Sequence, residues 1–264
     1  MKNETVLITG ASSGIGREMA MITGEKGYNL ILTARSEDRM KSLQKELTEK
    51  YSVKIHIIPI DLTAQGAPGE LLKRCEEKEL TVDILINNAG MGLIGNITDT
   101  DPEELYRMVE LNIQAVTGLS ALFAAKMKKQ GRGKILNIGS LNSHFAIPYF
   151  AAYAATKAYV RSFTLALRSE LKGSGVSVSC FEPGFVRTSF DANAKITSEK
   201  YLKMSRSQGM SPSKAADLAV KTVLKGRRLV VGGFFNKIGA AFSGIIPGRI
   251  STALFKSVIG GLLD

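Results

Sequence analysis

Short apolar runs alternate along the chain with longer segments whose apolar residues recur every three or four positions. The runs TVLIT (5–9), NLILTA (29–34), KIHIIPI (54–60), DILIN (83–87), KILNIG (134–139), VSVSCF (176–181) and RLVVGG (228–233) predict seven strands. The first six are nearly continuous in apolar residues, as strands covered on both faces must be. Between them, IGREMAMITGEKG (15–27), SEDRMKSLQKELTEK (36–50), GELLKRCEEKE (69–79), a long stretch from Pro102 to about Lys129 and another from about Tyr149 to Lys172 predict helices. This alternation implies a doubly wound α/β protein: a mostly parallel seven-stranded sheet with right-handed crossovers and helices on both faces. Residues 190–211 interrupt the rhythm with a polar, helical insertion, and residues 234–264 extend beyond the last strand. Without repeat or linker, residues 1–264 read as one domain.

Composition changes this picture little. A chain of 264 residues that is 44% hydrophobic and 22% charged can bury a large core and is not of low complexity. Cys75 and Cys180 lie far apart, which excludes a disulfide framework and a cysteine-based zinc site and suits a reducing cytoplasm. His56 falls within a strand, and neither it nor His144 has metal-ligand neighbours, so no metal is expected. MKNETVLITG runs straight into the first strand, so no signal peptide is expected, and no uninterrupted apolar run reaches the ~20 residues of a membrane span. The net charge of +11 is uneven: between Asp217 and Asp264 there is no acidic residue, against Lys221, Lys225, Arg227, Arg228, Lys237, Arg249 and Lys256.

The first strand runs into TGASSGIGRE (9–18), in which Gly10, Gly14 and Gly16 precede and open a helix. Glycines placed so permit a tight turn, approach of the backbone to a phosphate and close helix–strand packing, as in Rossmann-type sheets. The helix N-terminus then offers free N–H groups to an anion, with Ser12, Ser13 and Ile15 alongside. The second strand ends LTARSED, with Ala34 where a carboxylate would bind a ribose 2′-hydroxyl and Arg35 next to it. An absent carboxylate and a planar cation favour a 2′-phosphate, hence NADP(H) over NAD. The third strand leads to Asp61, whose carboxylate can accept the adenine amino group, and Leu62; the fourth ends in NNAG (87–90), where Asn88, Ala89 and Gly90 let the chain pass close to a flat ligand. All sit at C-terminal strand ends, where ligands bind in open α/β sheets.

In AAYAATKAY (151–159), Tyr153 and Lys157 stand four apart and share a helix face. A tyrosine has a pKa near ~10, and an ammonium beside it favours the phenolate, tuning the phenol toward proton transfer. Tyr149 is followed four residues later by Tyr153, and Tyr159 by Phe163, so only Tyr153 has the right partner.

Taken together and in order, TGASSGIG, NNAG, YAATK and PGFVRT resemble the short-chain dehydrogenase/reductase family in its compact single-domain branch, strongly over residues 3–190 and hardly in the tail. The resemblance implies that Ser140, thirteen residues before the tyrosine, bonds the substrate carbonyl, and that Tyr153 is the general acid in reduction and the base in oxidation. It implies that Lys157 binds the nicotinamide ribose and lowers the tyrosine pKa, and that Asn112 holds a water in a proton relay. Pro183, Gly184, Val186 and Thr188 match the segment that cradles the nicotinamide amide, and residues 190–211 occupy the lid position. Ser143 and His144 are near enough in sequence to line a substrate pocket. Singly, Ser140, Asn112 and Lys157 would be an ordinary strand-end, helix and surface residue; jointly placed they read as catalytic.

The expected protein is an NADP(H)-dependent oxidoreductase acting on a small carbonyl or alcohol substrate, a homodimer or homotetramer by resemblance. The competing readings are an NADP(H)-binding redox sensor without turnover, non-oxidative chemistry on the same scaffold, and a nucleic-acid binder, the last resting only on a pI of ≈ 9.6. In the tail, Phe235, Ile238, Phe242 and Ile245, then Ile250, Leu254, Val258 and Leu262, recur at helical spacing, with Gly244, Pro247 and Gly248 dividing them into two short helices. This basic amphipathic extension either meets an anionic membrane surface, packs on its own sheet, covers the substrate pocket or meets a second subunit. It resembles the tails of a branch that handles lipophilic carbonyls, including 3-oxoacyl and steroid substrates.

Overall fold

The computed structural model describes residues 4–194 and 196–263, so Lys195 of the expected lid lies outside the described residues. Its strands are β1 (Thr5–Thr9), β2 (Asn29–Ala34), β3 (Ile55–Pro59), β4 (Ile84–Asn87), β5 (Gly133–Ile138), β6 (Val176–Glu182) and β7 (Leu229–Val231). The helices are α1 (Gly14–Glu25), α2 (Glu37–Lys50), α3 (Ala67–Glu77), α4 (Pro102–Val109), α5 (Val116–Gln130), α6 (Ala151–Glu170), α7 (Phe190–Asn193), α8 (Glu199–Gln208), α9 (Pro212–Leu224), α10 (Phe234–Phe242) and α11 (Gly248–Leu263).

The strands form one sheet in the order β3-β2-β1-β4-β5-β6-β7, every pairing parallel. Strand order reverses between β1 and β4, which opens a crevice beyond their C-terminal ends. Successive residues of β1 and β2 point to opposite faces, and both faces are dry: Val6, Ile8, Leu30 and Leu32 pack with Met19 and Val220 in one cluster, while Leu7, Ile31 and Leu85 pack with Leu71, Leu119 and Phe123 in the other.

Three features depart from the sequence pattern. Helix α9 was not expected; its signal is local, for the Ser211 hydroxyl accepts from the Lys214 N–H at 3.2 Å, Pro212 opens the helix, and small Ala215, Ala216 and Ala219 bury against the sheet. Strand β7 is an edge of three residues, shorter than the run 228–233. The second tail helix, α11, is not short: it holds 16 residues. The continuous helical run Pro102–Gln130 is long and apolar enough by composition to cross a membrane, but it is the crossover between the neighbours β4 and β5 and buries Leu119, Phe123 and Met127 in the core.

Candidate active site

At the crevice, Gly10 has φ +66°, and a Cβ there would come within 3.0 Å of the Ala89 Cα. A Cβ on Gly16 would lie 2.3 Å from the Gly10 carbonyl oxygen, so only glycine allows α1 to start so close to the end of β1. Ser13, the N-cap of α1, makes no side-chain bond to the helix, which leaves the first-turn N–H groups to an external anion. Ser12, Ser13 and Gly14 are half-buried, Ile15 leans on the core, and Thr188 comes across from the loop after β6 to face Gly14.

NNAG does more than stay small. The Thr9 hydroxyl accepts from the N–H groups of Asn88 and Ala89, both at 2.9 Å, and the Asn88 amide donates to the Thr9 carbonyl at 2.9 Å, so the two strands flanking the crevice are tied together. Arg35 is exposed at the end of β2 and pairs with no carboxylate among the described residues. Burial alone would raise the Asp61 carboxyl, but the Thr63 N–H at 3.0 Å and hydroxyl at 2.8 Å, with Arg35 and Arg107 farther away, hold it below the usual carboxylate range. The Leu62 side chain is buried in the core, so only its backbone can meet a ligand. Close-approach glycines and free helix N–H groups fit a nicotinamide dinucleotide.

At the reacting end, Ser140, Tyr153, Lys157 and Asn112 are all buried and meet below the crevice. Ser140 lies two residues beyond β5 and caps the short helical turn Leu141–His144, its hydroxyl accepting from the Asn142 N–H at 3.2 Å. Burial pushes the Tyr153 phenol up to about 12, while its hydrogen bond with Ser140 pulls the other way. The expected depression of this pKa by Lys157 is not realised in the protein alone. The ammonium donates to the Ile138 carbonyl at 3.1 Å and stands 5.9 Å from the phenol ring centroid, and burial lowers its own pKa to about 8, with Cys180 opposing. Gly90 runs beside it: a Cβ there would lie 3.4 Å from the Lys157 Nζ and 3.2 Å from the Asn112 Oδ1.

Asn112 sits in a π-helical segment, Glu110–Ala115, between α4 and α5. Its amide donates to the Met91 carbonyl at 2.8 Å and to the Thr156 hydroxyl at 3.1 Å, and its oxygen accepts from the Met91 N–H at 3.0 Å. The side chain is thus committed to fastening the loop after β4 to α6. Pro183, Gly184, Val186 and Thr188 follow β6; a Cβ on Gly184 would strike the Asn236 side chain of α10 at 2.2 Å, so the tail abuts this loop.

Sequence reasoning missed two features. The first is an aromatic wall: Phe190 packs against Tyr153 with ring centroids 5.7 Å apart, and Phe150 stands 6.2 Å from the phenol ring and 6.0 Å from Tyr201. Phe190 also presses on Gly92, filling the space over the phenol; the cleft of about 200 Å³ lined by Leu93, Tyr149, Ala152 and Lys256 lies beside this wall. The second is wholly buried Glu182, which accepts from the Ser143 hydroxyl at 2.6 Å and is bonded to the His144 Nε2 at 2.7 Å. Ser143 and His144, near enough in sequence to line a pocket but more readily read as loop residues without that duty, clamp the Ser140 turn to the end of β6. The acidic residue preceding Pro183–Gly184 was the only available signal.

A buried tyrosine–serine–lysine group at the C-terminal edge of a doubly wound sheet, beside a glycine-rich helix start, defines an oxidoreductase of the dinucleotide-dependent class. The chain belongs to the short chain dehydrogenase family, whose model it matches over residues 4–199. It is 32% identical over 231 residues to a dehydrogenase/reductase SDR family protein 7-like of Drosophila melanogaster, covering 85% of this chain and 71% of that relative. Among solved structures it resembles a short-chain dehydrogenase from Sphingobium yanoikuyae in complex with NADPH (TM-score 0.81, 30% identity, 92% and 94% of the two chains). It also resembles the bulky-bulky ketone specific alcohol dehydrogenase from Comamonas testosteroni (TM-score 0.78, 31% identity, 93% and 94%).

Proposed function

We propose that this protein is an NADP(H)-dependent carbonyl reductase or alcohol dehydrogenase for lipophilic substrates. The observation that carries the reading is the burial of the Tyr153 phenol together with Ser140 and Lys157, enclosed by Phe150 and Phe190. Bound NADP(H) supplies or accepts the hydride. The protein's residues orient the carbonyl, exclude water and move one proton. Ser140 holds the carbonyl oxygen; Tyr153 gives that oxygen its proton in reduction and takes it back in oxidation.

Lys157, tethered to the Ile138 carbonyl and adjacent to Gly90, would bind the nicotinamide ribose. Arg35, near enough to help hold Asp61 below the usual carboxylate range, would receive the 2′-phosphate. Helices α7 and α8 form the lid of residues 190–211, and Phe190 must swing off Tyr153 for a substrate to enter. The aromatic wall and the aliphatic residues behind it, Leu93 and Ile147, favour a bulky apolar ketone over a short polar one. The structural relatives named for NADPH and for a bulky-bulky ketone point the same way. Assembly as a homodimer or homotetramer belongs to the same proposal and is read by light scattering.

The test is NADPH oxidation across short β-keto esters, long-chain 3-oxoacyl thioesters, steroid ketones and bulky diaryl ketones. Turnover that rises with apolar bulk is the expected result. NADPH binding without turnover on any ketone would replace the enzyme by a sensor.

A further inference from the structure

The tail leaves a surface that the proposed reaction does not use. Nine of the twelve large hydrophobic side chains that are exposed among the described residues lie between Phe234 and Val258. Phe234 and Phe235 are 72% and 84% exposed at the start of α10, and Ile238 and Phe242 continue the same helix face. In α11 the residues sort into two stripes. Phe255, Ile259 and Leu262 turn inward and join the cluster that holds Tyr153 and Tyr201, and the Ser198 hydroxyl donates to the Leu262 carbonyl. Ile250, Leu254 and Val258, four residues apart, stay exposed. The helix is therefore anchored by one stripe and presents the other.

Packing on the lid and on the cluster around Tyr153 accounts only for the inward stripe, so the outward face needs another occupant. Its charge selects one. Lys237, Arg249 and Lys256 are exposed, and no acidic residue occurs between Asp217 and Asp264. An isologous pairing of this stretch with its counterpart would set these cations against a segment that carries no acidic residue between Asp217 and Asp264. An anionic bilayer surface offers both halves of the match: acyl chains for phenylalanine, isoleucine and leucine, and headgroup charge for the lysines and the arginine. We infer that residues 234–258 dock this protein on the surface of an anionic membrane, with α10 and α11 lying in the interface rather than spanning it. The inference rests on exposure and charge and holds whether or not the proposed reaction is correct.

The experiment is co-sedimentation of the full chain with vesicles of phosphatidylcholine alone and of phosphatidylcholine mixed with phosphatidylglycerol. The intact protein is expected to bind the mixed vesicles and not the neutral ones, and to release as salt rises. Lys237→Gln with Lys256→Gln removes two surface cations and should weaken binding roughly 30-fold, at about fivefold for each cation. Phe234→Ser with Phe235→Ser should abolish it. All four side chains are exposed, so melting temperatures should match the parent, and the charge pair serves if the phenylalanine pair misfolds. No binding by the intact protein, or equal binding to both vesicle types, overturns the inference. So does a loss of oligomer mass in the phenylalanine variant without any vesicle binding, since the tail would then be a subunit contact.

Discussion

Lys157 makes a prediction about stability as sharp as the one about activity. Its ammonium is buried, and desolvation brings its pKa from the ordinary 10.5 to about 8. That difference corresponds to roughly 3 kcal/mol by which the folded protein disfavours the charged lysine at neutral pH. Its compensation is one hydrogen bond, to the Ile138 carbonyl at 3.1 Å, worth about 1 kcal/mol net. Lys157→Met keeps the length and apolar stem of the side chain and removes the charge, so it should stabilise the ligand-free protein by about 2 kcal/mol at pH 7. In a chain of this size that is a rise in Tm of roughly 4–8 °C.

The pH dependence follows from the direction of the shift. Below about 8 the lysine is protonated whether the chain is folded or not, and the penalty is constant. Between about 8 and 10.5 the unfolded chain holds the proton more often than the folded one, so stability of the parent rises with pH and its deficit against Lys157→Met shrinks. Calorimetry of both proteins without dinucleotide, at the same concentration at pH 7 and pH 10, measures this directly. A variant no more stable than the parent at pH 7, with a gap that does not change by pH 10, would refute the burial argument. The same variant should lose most of its turnover, separating what the lysine does for catalysis from what it costs the fold.

Two further perturbations probe the rest of the site. Arg35→Ala should raise the KM for NADPH roughly 10–100-fold, the loss of one charge-assisted contact, and leave the KM for NADH unchanged; an equal change for both would remove Arg35 from 2′-phosphate recognition. Glu182→Leu fills the same space but strands the Ser143 hydroxyl and the His144 ring, at about 1–3 kcal/mol each, and should lower Tm by roughly 5–15 °C. Its kcat should fall through the loosened Ser140 turn while the NADPH Kd holds; an unchanged Tm would show that the clamp does not support the site.

What the sequence made legible was mainly local. Tyr153 and Lys157 lie on one helix face because they are four apart, and β1 and β2 begin and end where their apolar runs do. Gly10 and Gly16 announce a close approach because no other residue tolerates it. What stayed hidden depends on residues distant in the chain. Glu182 meets His144 across 38 positions, and Phe190 reaches Tyr153 from the lid. The π-helical turn around Asn112 has no periodicity of its own, since one displaced hydrogen bond barely disturbs the apolar pattern on either side. The pKa of Tyr153 was read with the wrong sign for the protein alone: spacing showed a cation nearby, while burial and the tether to Ile138 determine which effect wins.

The central claim is that the Tyr153 phenol delivers the proton. It is tested most directly by comparing kcat for ketone reduction in the parent and in Tyr153→Phe, with NADPH affinity measured in parallel by fluorescence. The phenylalanine keeps the ring among Phe150 and Phe190 and removes only the hydroxyl. The account predicts a fall in kcat of about 10²–10⁴ with the NADPH Kd unchanged. A kcat within about threefold of the parent, at equal NADPH affinity, would contradict it.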